Sequence, residues 1–117
     1  MNLNQDIVPS NLEEAIQILI KSMSKKELDL IKNMNITELH FNIGRTIRNE
    51  WSLWDESSVL VKWFYKKYGV SHADDVSSLI LECLIADLNN KPRQDKELAE
   101  RFIEHWETHK RKLNKKE

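Results

Sequence analysis

The stretch "GVSHADDVSSLILECLIADL", Gly69–Leu88, decides the fold. Within a few residues it passes from a glycine, through short polar side chains, into an apolar run. Gly69 stands where a helix closes in the left-handed conformation, as in a Schellman ending, with Val70 packing back. Ser71 has the chemistry of the next N-cap, with Asp74 three residues on. Asp74 and Asp75 fall in the first turn, where the helix dipole favours negative charge by about 0.3–1 kcal/mol each. Val76, Leu79, Ile80, Cys83, Leu84 and Leu88 follow at helical spacing. The stretch is a junction between two helices, the second long and buried.

Similar punctuation recurs on both sides. Ser10 to Glu13 and Ser24 to Glu27 read as capping boxes, followed by Leu12, Ile16 and Ile20 in one helix and Leu28, Leu30 and Ile31 in the next. Asn35 to Glu38 opens a third helix with the row Leu39, Ile43, Ile47 and Trp51. "WSLWDESS", Trp51–Ser58, interrupts it, and Asp55 or Ser57 caps a helix bearing Leu60, Trp63 and Phe64. "NNKPRQD", Asn89–Asp95, is a loop, and a last helix carries Leu98, Phe102, Trp106 and Leu113. No internal repeat and no strand pattern interrupts this order. The expectation is an all-α chain: a compact bundle of five to six helices in a single domain spanning 1–117. Its ordered core covers about residues 8–107, and the basic segment 108–117 is a fraying tail.

Composition agrees. A chain of 117 residues supports one core. Two glycines and two prolines are too few for a fold of many tight turns. A net charge of −1 and a pI near 6.4 argue against a nucleic-acid binder. Cys83 is the single cysteine, so no internal disulfide forms and a reducing cytoplasm fits best. It sits in an apolar run without a nearby basic residue, as an inert thiol does. No apolar stretch reaches the roughly 18 residues of a membrane span, and the N-terminus lacks a secretory signal.

The helix "ELHFNIGRTIRNEW", Glu38–Trp51, carries the sharpest chemical pattern. His40, Gly44 and Arg48 recur every four residues and share one side. A mid-helix glycine costs about 1 kcal/mol relative to alanine, so something near Gly44 needs the room. If the helix after Ser71 meets this face, Arg48 reaches Asp74 or Asp75 as a structural clamp. The same residues, His40, Arg48, His72, Asp74 and Asp75, form the alternative small-ligand or metal site, with hydrolysis as its chemistry. Adjacent carboxylates point about 100° apart on a helix, so Asp74 and Asp75 are no facing acid/base pair. "HWETH" places His105 and His109 one turn apart, which reads first as a solvated face. With no phosphate loop, nucleophile elbow or zinc motif, no catalytic residue, cofactor or metal is assigned.

Six aromatic residues, Trp51, Trp54, Trp63, Phe64, Tyr65 and Tyr68, crowd into eighteen positions alongside Arg45 and Arg48. Trp51, Trp63 and Phe64 belong to the core rows. Trp54 and Tyr65 lie off them, and with Arg45 and Arg48 they are the candidate partner-binding residues, since Trp, Tyr and Arg dominate interface hot spots. Charge is uneven: Val70–Asn90 holds four acids and no Lys or Arg, whereas five Lys or Arg fall between Lys110 and Lys116. These features favour a non-enzymatic protein-binding module, an immunity-type or antitoxin-like inhibitor or a regulatory adaptor, with another protein as its partner. The oligomeric state is left open.

In order along the chain, "VPSNLEEAIQIL", "IRNEWSLW", "SSVLVKWFYKKYGVSHADDVSSLIL" and "LNNKPR" resemble a small bacterial family of unknown function, over about residues 8–107. That family's pattern runs from Pro-x-Asn-Leu-Glu-Glu-Ala through Ile-Arg-Asn-x-Trp-x-Leu-Trp to His-Pro-Asp-Asp-x-Ser-Ser-x-Ile. Ala73 stands where the pattern has proline, which loosens the helix start. The resemblance implies a shared fold and no established activity. It also implies that Arg48, Asn49, Trp51, Trp54, His72, Asp74, Asp75, Ser77 and Ser78 belong to one constellation.

Overall fold

The structure, a computed structural model, describes residue 3 and residues 7–115. They form α1 (Leu12–Ser22), α2 (Lys25–Ile31), α3 (Ile36–Leu39), a π turn (His40–Gly44), α4 (Arg45–Glu50), α5 (Val59–Tyr68), α6 (Ala73–Leu88) and α7 (Asp95–Lys115). The π turn joins α3 and α4 into one continuous rod, so the bundle has six helices, and no strand occurs among the described residues. The backbone is helical to Lys115, through most of the segment expected to fray. Residues 116 and 117 and the Leu113 side chain lie outside the described residues. No helix among those described is long and apolar enough to cross a membrane.

Helix α6 runs through the middle. It packs against α1, both parts of the rod, the π turn, α5 and α7, and buries Ala73, Val76, Ser77, Leu79, Ile80, Leu81, Cys83 and Leu84. Burial on so many sides explains the apolar run Leu79–Leu81 and the absence of Lys and Arg from the helix, whose four acids Asp74, Asp75, Glu82 and Asp87 are all only half-buried. The surrounding helices each offer one stripe, all joined in a single core.

The caps differ from the sequence expectation by a residue or so. Asn11 caps α1 by accepting the Glu14 N–H, while Glu14 reaches back to the Ser10 N–H, shifting the box one place and freeing Glu13. Ser24 and Glu27 form their box as read. Asn35 accepts the Glu38 N–H to start the rod. Ser58 caps α5, and Asp55 instead accepts both the N–H and the hydroxyl of Ser57. Gly69, at φ 77°, closes α5 through a single bond from its N–H to the Tyr65 carbonyl.

Four-residue rows overshoot a 3.6-residue turn by about 40° at each step. Leu12 and Ile16 are therefore buried while Ile20 has rotated into solvent, and Ala15 and Leu19 complete the stripe. Leu98 and Phe102 likewise lead to Trp106, which is partly exposed, and Leu30 and half-buried Trp63 also lie outside the core proper. Yet Leu39, Ile47 and Trp51 remain buried along the rod, with Ile43 half-buried. There the wider π turn takes more residues per revolution and cancels the drift.

The rod ends in a Schellman motif: Leu53 N–H bonds to the Arg48 carbonyl, and Ser52 N–H to that of Asn49. Ser52 occupies the left-handed position at φ 50°, which suits glycine better. Asn90, at φ 55°, does the same after α6: its N–H bonds to the Asp87 carbonyl and the Lys91 N–H to that of Ala86. Beyond it, Arg93 ties Asp87 to Glu13 of α1, and the Tyr68 hydroxyl donates to Asp95 at the start of α7.

Ser52→Gly should stabilise the fold by about 1 kcal/mol, because it relieves the left-handed strain in an exposed turn. A melting temperature that fails to rise would show that the Ser52 conformation is not strained. A second outcome concerns alkaline pH. Burial, and then the neighbouring Asp95, push the Cys83 thiol up to about 12. Its share of stability is complete below its ordinary value near 9 and is lost as pH rises towards about 12. Tyr68, raised by burial and by its bond to Asp95, acts in the same direction. Unfolding free energy measured in urea between about pH 8 and about pH 11 should decline by up to about 1.4 kcal/mol per pH unit for Cys83, with a smaller, solvent-screened contribution from Tyr68 above about pH 10. Cys83→Ala should be weaker at the start but decline less steeply; parallel declines would contradict the assignment.

Candidate functional site

Arg48 and Ser77 are the two buried polar or charged side chains among the described residues, and they bond to each other. Arg48, 6% exposed, donates from Nη1 to Ser77 Oγ at 2.9 Å and from Nη2 to the His40 carbonyl at 3.1 Å. Its Nη1 also lies 3.4 Å from His40 Nδ1, and its Nε lies 3.4 Å from Asp74 Oδ1. Ser77 in turn donates its hydroxyl proton to the Asp74 carbonyl at 3.0 Å. Every nitrogen of the guanidinium therefore faces a protein acceptor. An isolated buried charge is very costly, and this set of partners is what makes the burial tolerable.

Gly44 supplies the room. A Cβ there would stand 2.9 Å from Arg48 Nη1, 3.4 Å from the Leu39 carbonyl oxygen and 3.5 Å from Leu81 Cδ1. The glycine is thus needed for the arginine one turn later. Of the two carboxylates expected to meet Arg48, Asp74 is the one brought to it.

The partners of the two histidines set which ring nitrogen accepts. A guanidinium only donates, so His40 accepts at Nδ1 and carries its proton on Nε2, which faces Asp74 Oδ1 at 3.9 Å. His72, not Ser71, caps α6: its Nδ1 accepts the Asp74 N–H at 3.1 Å, leaving the proton on Nε2. The cap seats Ala73, buried, as the first helical residue. The His72 ring then stacks on Trp106 at 5.1 Å and 30° and meets Trp54 edge-on at 5.7 Å. The Trp51–Trp54 connection and the Gly69–His72 turn therefore lie side by side. Asp75 points the other way, its Oδ2 accepting the Trp106 indole N–H at 2.7 Å.

Not every residue of the expected constellation joins it. Ser78 Oγ stands 3.4 Å from His40 Nδ1, giving a Ser78–His40–Asp74 line, but neither the groove beside Trp54 nor the hollow beside Cys83 is lined by Ser78 or His40, and Arg48 shares the same ring nitrogen. Asn49 is exposed, and its side chain stays outside the network. Arg45 is exposed, whereas burial turns the expected surface role of Arg48 into an internal one. His105 and His109 each pack edge-on against Trp106. No group of three or more His, Cys, Asp or Glu among the described residues is placed to hold a metal ion.

Beside the clamp lies an open groove of about 800 Å³ between the 53–54 turn, α5, the 69–73 junction and α7. Leu53, Val61, Val70 and Ala73 form its buried floor, and Phe102, Ile103 and Trp106 of α7 form one wall. Trp54 and Tyr65, 59% and 64% exposed, stand on the other sides. The α7 wall was not recognisable as a surface in the sequence, where Phe102 and Trp106 read as core. The signal for it is the drift of their four-residue row.

Residues 8–88 match the model of a protein family described as a domain of unknown function, DUF6794. The chain belongs to this family. The DUF6794 match covers α1 to α6 and so contains the whole clamp, Gly44 included. It stops short of residue 107, where the resemblance was expected to end, and α7 with its groove wall lies beyond it. No curated protein and no solved structure matches the chain.

The dependence of Arg48 on Gly44 has a signature in a four-chain comparison. Gly44→Ala alone should destabilise the fold by about 1–3 kcal/mol, because disturbing a buried charged network outweighs the roughly 1 kcal/mol gained in helix propensity. In an Arg48→Ala background the same substitution should become neutral or stabilising by up to about 1 kcal/mol. Urea unfolding of the four chains checks this. A Gly44→Ala effect of the same sign and size in both backgrounds would mean that the glycine serves something other than the arginine.

Proposed function

We propose that this DUF6794 chain is a non-enzymatic protein-binding module of the bacterial cytoplasm, an immunity-type or antitoxin-like inhibitor or a regulatory adaptor, which holds its partner in the aromatic groove. The observation that carries it is the exposure of Trp54 and Tyr65, each more than half in solvent, around one trough with an apolar floor. Trp and Tyr supply large contact area with few torsions to freeze, which is why they concentrate at the centres of interfaces. Uneven charge along the chain adds long-range steering towards a charged protein.

The polar cluster supports a clamp in preference to the alternative small-ligand or metal site around His40, Arg48, His72, Asp74 and Asp75. A guanidinium whose nitrogens all face protein acceptors has little left to offer an anion. His72 Nδ1, a natural metal donor, is occupied by the Asp74 N–H.

The test is differential capture from native bacterial extract, followed by reconstitution with the purified protein recovered. The double substitution Trp54→Ser with Tyr65→Ser should leave the melting temperature nearly unchanged, since both side chains are exposed. It should weaken binding by about 100-fold or more, because hot-spot truncations cost at least about 2 kcal/mol each. Binding that ignores the double substitution would remove the groove from the proposal. A thermal shift by a phosphate or divalent metal that Arg48→Ala abolishes would favour the ligand site instead.

A further inference from the structure

We infer that the partner segment brings a cationic side chain, arginine or lysine, to the corner of the groove formed by Trp54, His72, Asp75 and Trp106, with apolar neighbours on the floor; this rests on the protein-binding reading above. Asp74 and Asp75 are adjacent, but only one of them is neutralised. Asp74 faces the Arg48 guanidinium, its Oδ1 3.4 Å from Nε. Asp75 is half-buried at the groove edge, accepts one hydrogen bond from the Trp106 indole, and has no cationic partner among the described residues. The end of α6 offsets part of its charge through the helix dipole, yet a dipole end is no substitute for a counter-ion.

The other charges lining the groove do not supply one. Glu56, Asp75 and Glu107 stand against Lys62 and Lys110, three acids to two bases, which leaves one negative charge in excess. Lys110 follows Glu107 by three residues on α7, a spacing at which helix neighbours pair. Lys62 is close enough to Asp55 to lower that carboxylate's pKa, an effect smaller than that of Ser57. The aromatic rings point to the same ligand. Indole and phenol faces attract cations, and Trp54 and Tyr65 are each more than half exposed at the groove. A carboxylate with free lone pairs beside such rings matches a guanidinium or ammonium, and repels an acidic segment.

The experiment selects binders of the purified full chain from a displayed library of short random peptides, then titrates synthetic versions by tryptophan fluorescence. The expected peptides carry Arg or Lys flanked by apolar residues and lose binding to the Trp54→Ser chain. Asp75→Asn should weaken them by about tenfold or more. It keeps an oxygen to accept the Trp106 N–H, so the melting temperature should fall only by the few degrees that the lost helix-dipole charge accounts for, and the loss of peptide binding is a readout that a merely structural Asp75 would not move. Asp75→Glu should retain part of the affinity, and replacing the peptide's basic residue with glutamine should make Asp75→Asn nearly silent. Groove-dependent peptides without a basic residue, or peptides indifferent to Asp75→Asn, would overturn this inference and leave the binding module standing. If no peptide or partner depends on Trp54, both fall together.

Discussion

The buried guanidinium of Arg48 constrains the rest of this fold. A charge that cannot be left bare must be surrounded, and its acceptors come from the π turn, from the first turn of α6 and from Ser77 in its second. Meeting them together sets how the rod crosses α6. That crossing needs a helix face without a side chain at residue 44, which is why a residue with poor helix propensity sits mid-rod. It also places the start of α6, and with it the His72 cap against which Trp54 and Trp106 pack. The arginine thus governs a surface it never touches.

Much of this architecture was legible in the sequence because helices announce their ends chemically. Ser24 with Glu27, Asn35 with Glu38 and Gly69 all mark boundaries where the structure has them. The clamp was legible as well, since a glycine four residues before an arginine and four after a histidine is an unusual use of a helix face. What misled were competitions between equally good local choices. Asn11 caps as well as Ser10, and only the burial of Leu12 and the reach of Glu14 decide between them. Histidine is a rarer cap than serine, and nothing near Ser71 revealed that the His72 ring would be held between two tryptophans.

The least legible feature was the groove, because it belongs to packing between distant segments. Four-residue rows looked alike in α1, the rod and α7, yet they end differently. In α1 and α7 the drift carries Ile20 and Trp106 towards solvent, and in the rod the π turn cancels it. A period of four sustained from Leu39 to Trp51, in the same helix as His40, Gly44 and Arg48, is therefore itself a sign that the helix widens. π turns are common at functional sites. Here the wider turn presents the His40 carbonyl to Arg48 and keeps Trp51 in the core below Leu53 and Trp54.

Asp74 and Asp75 join the buried network to the groove. Successive residues on a helix diverge by about 100°, so the pair cannot act together on one target. That divergence is what makes the pair useful. One carboxylate turns inward to the guanidinium and is consumed by the fold; the other turns outward to the Trp106 indole and the groove. The DUF6794 match contains both carboxylates, while the indole that fixes the second comes from α7, beyond the match. The buried network is complete within the matched residues, and the groove takes its other wall from Phe102, Ile103 and Trp106 of α7.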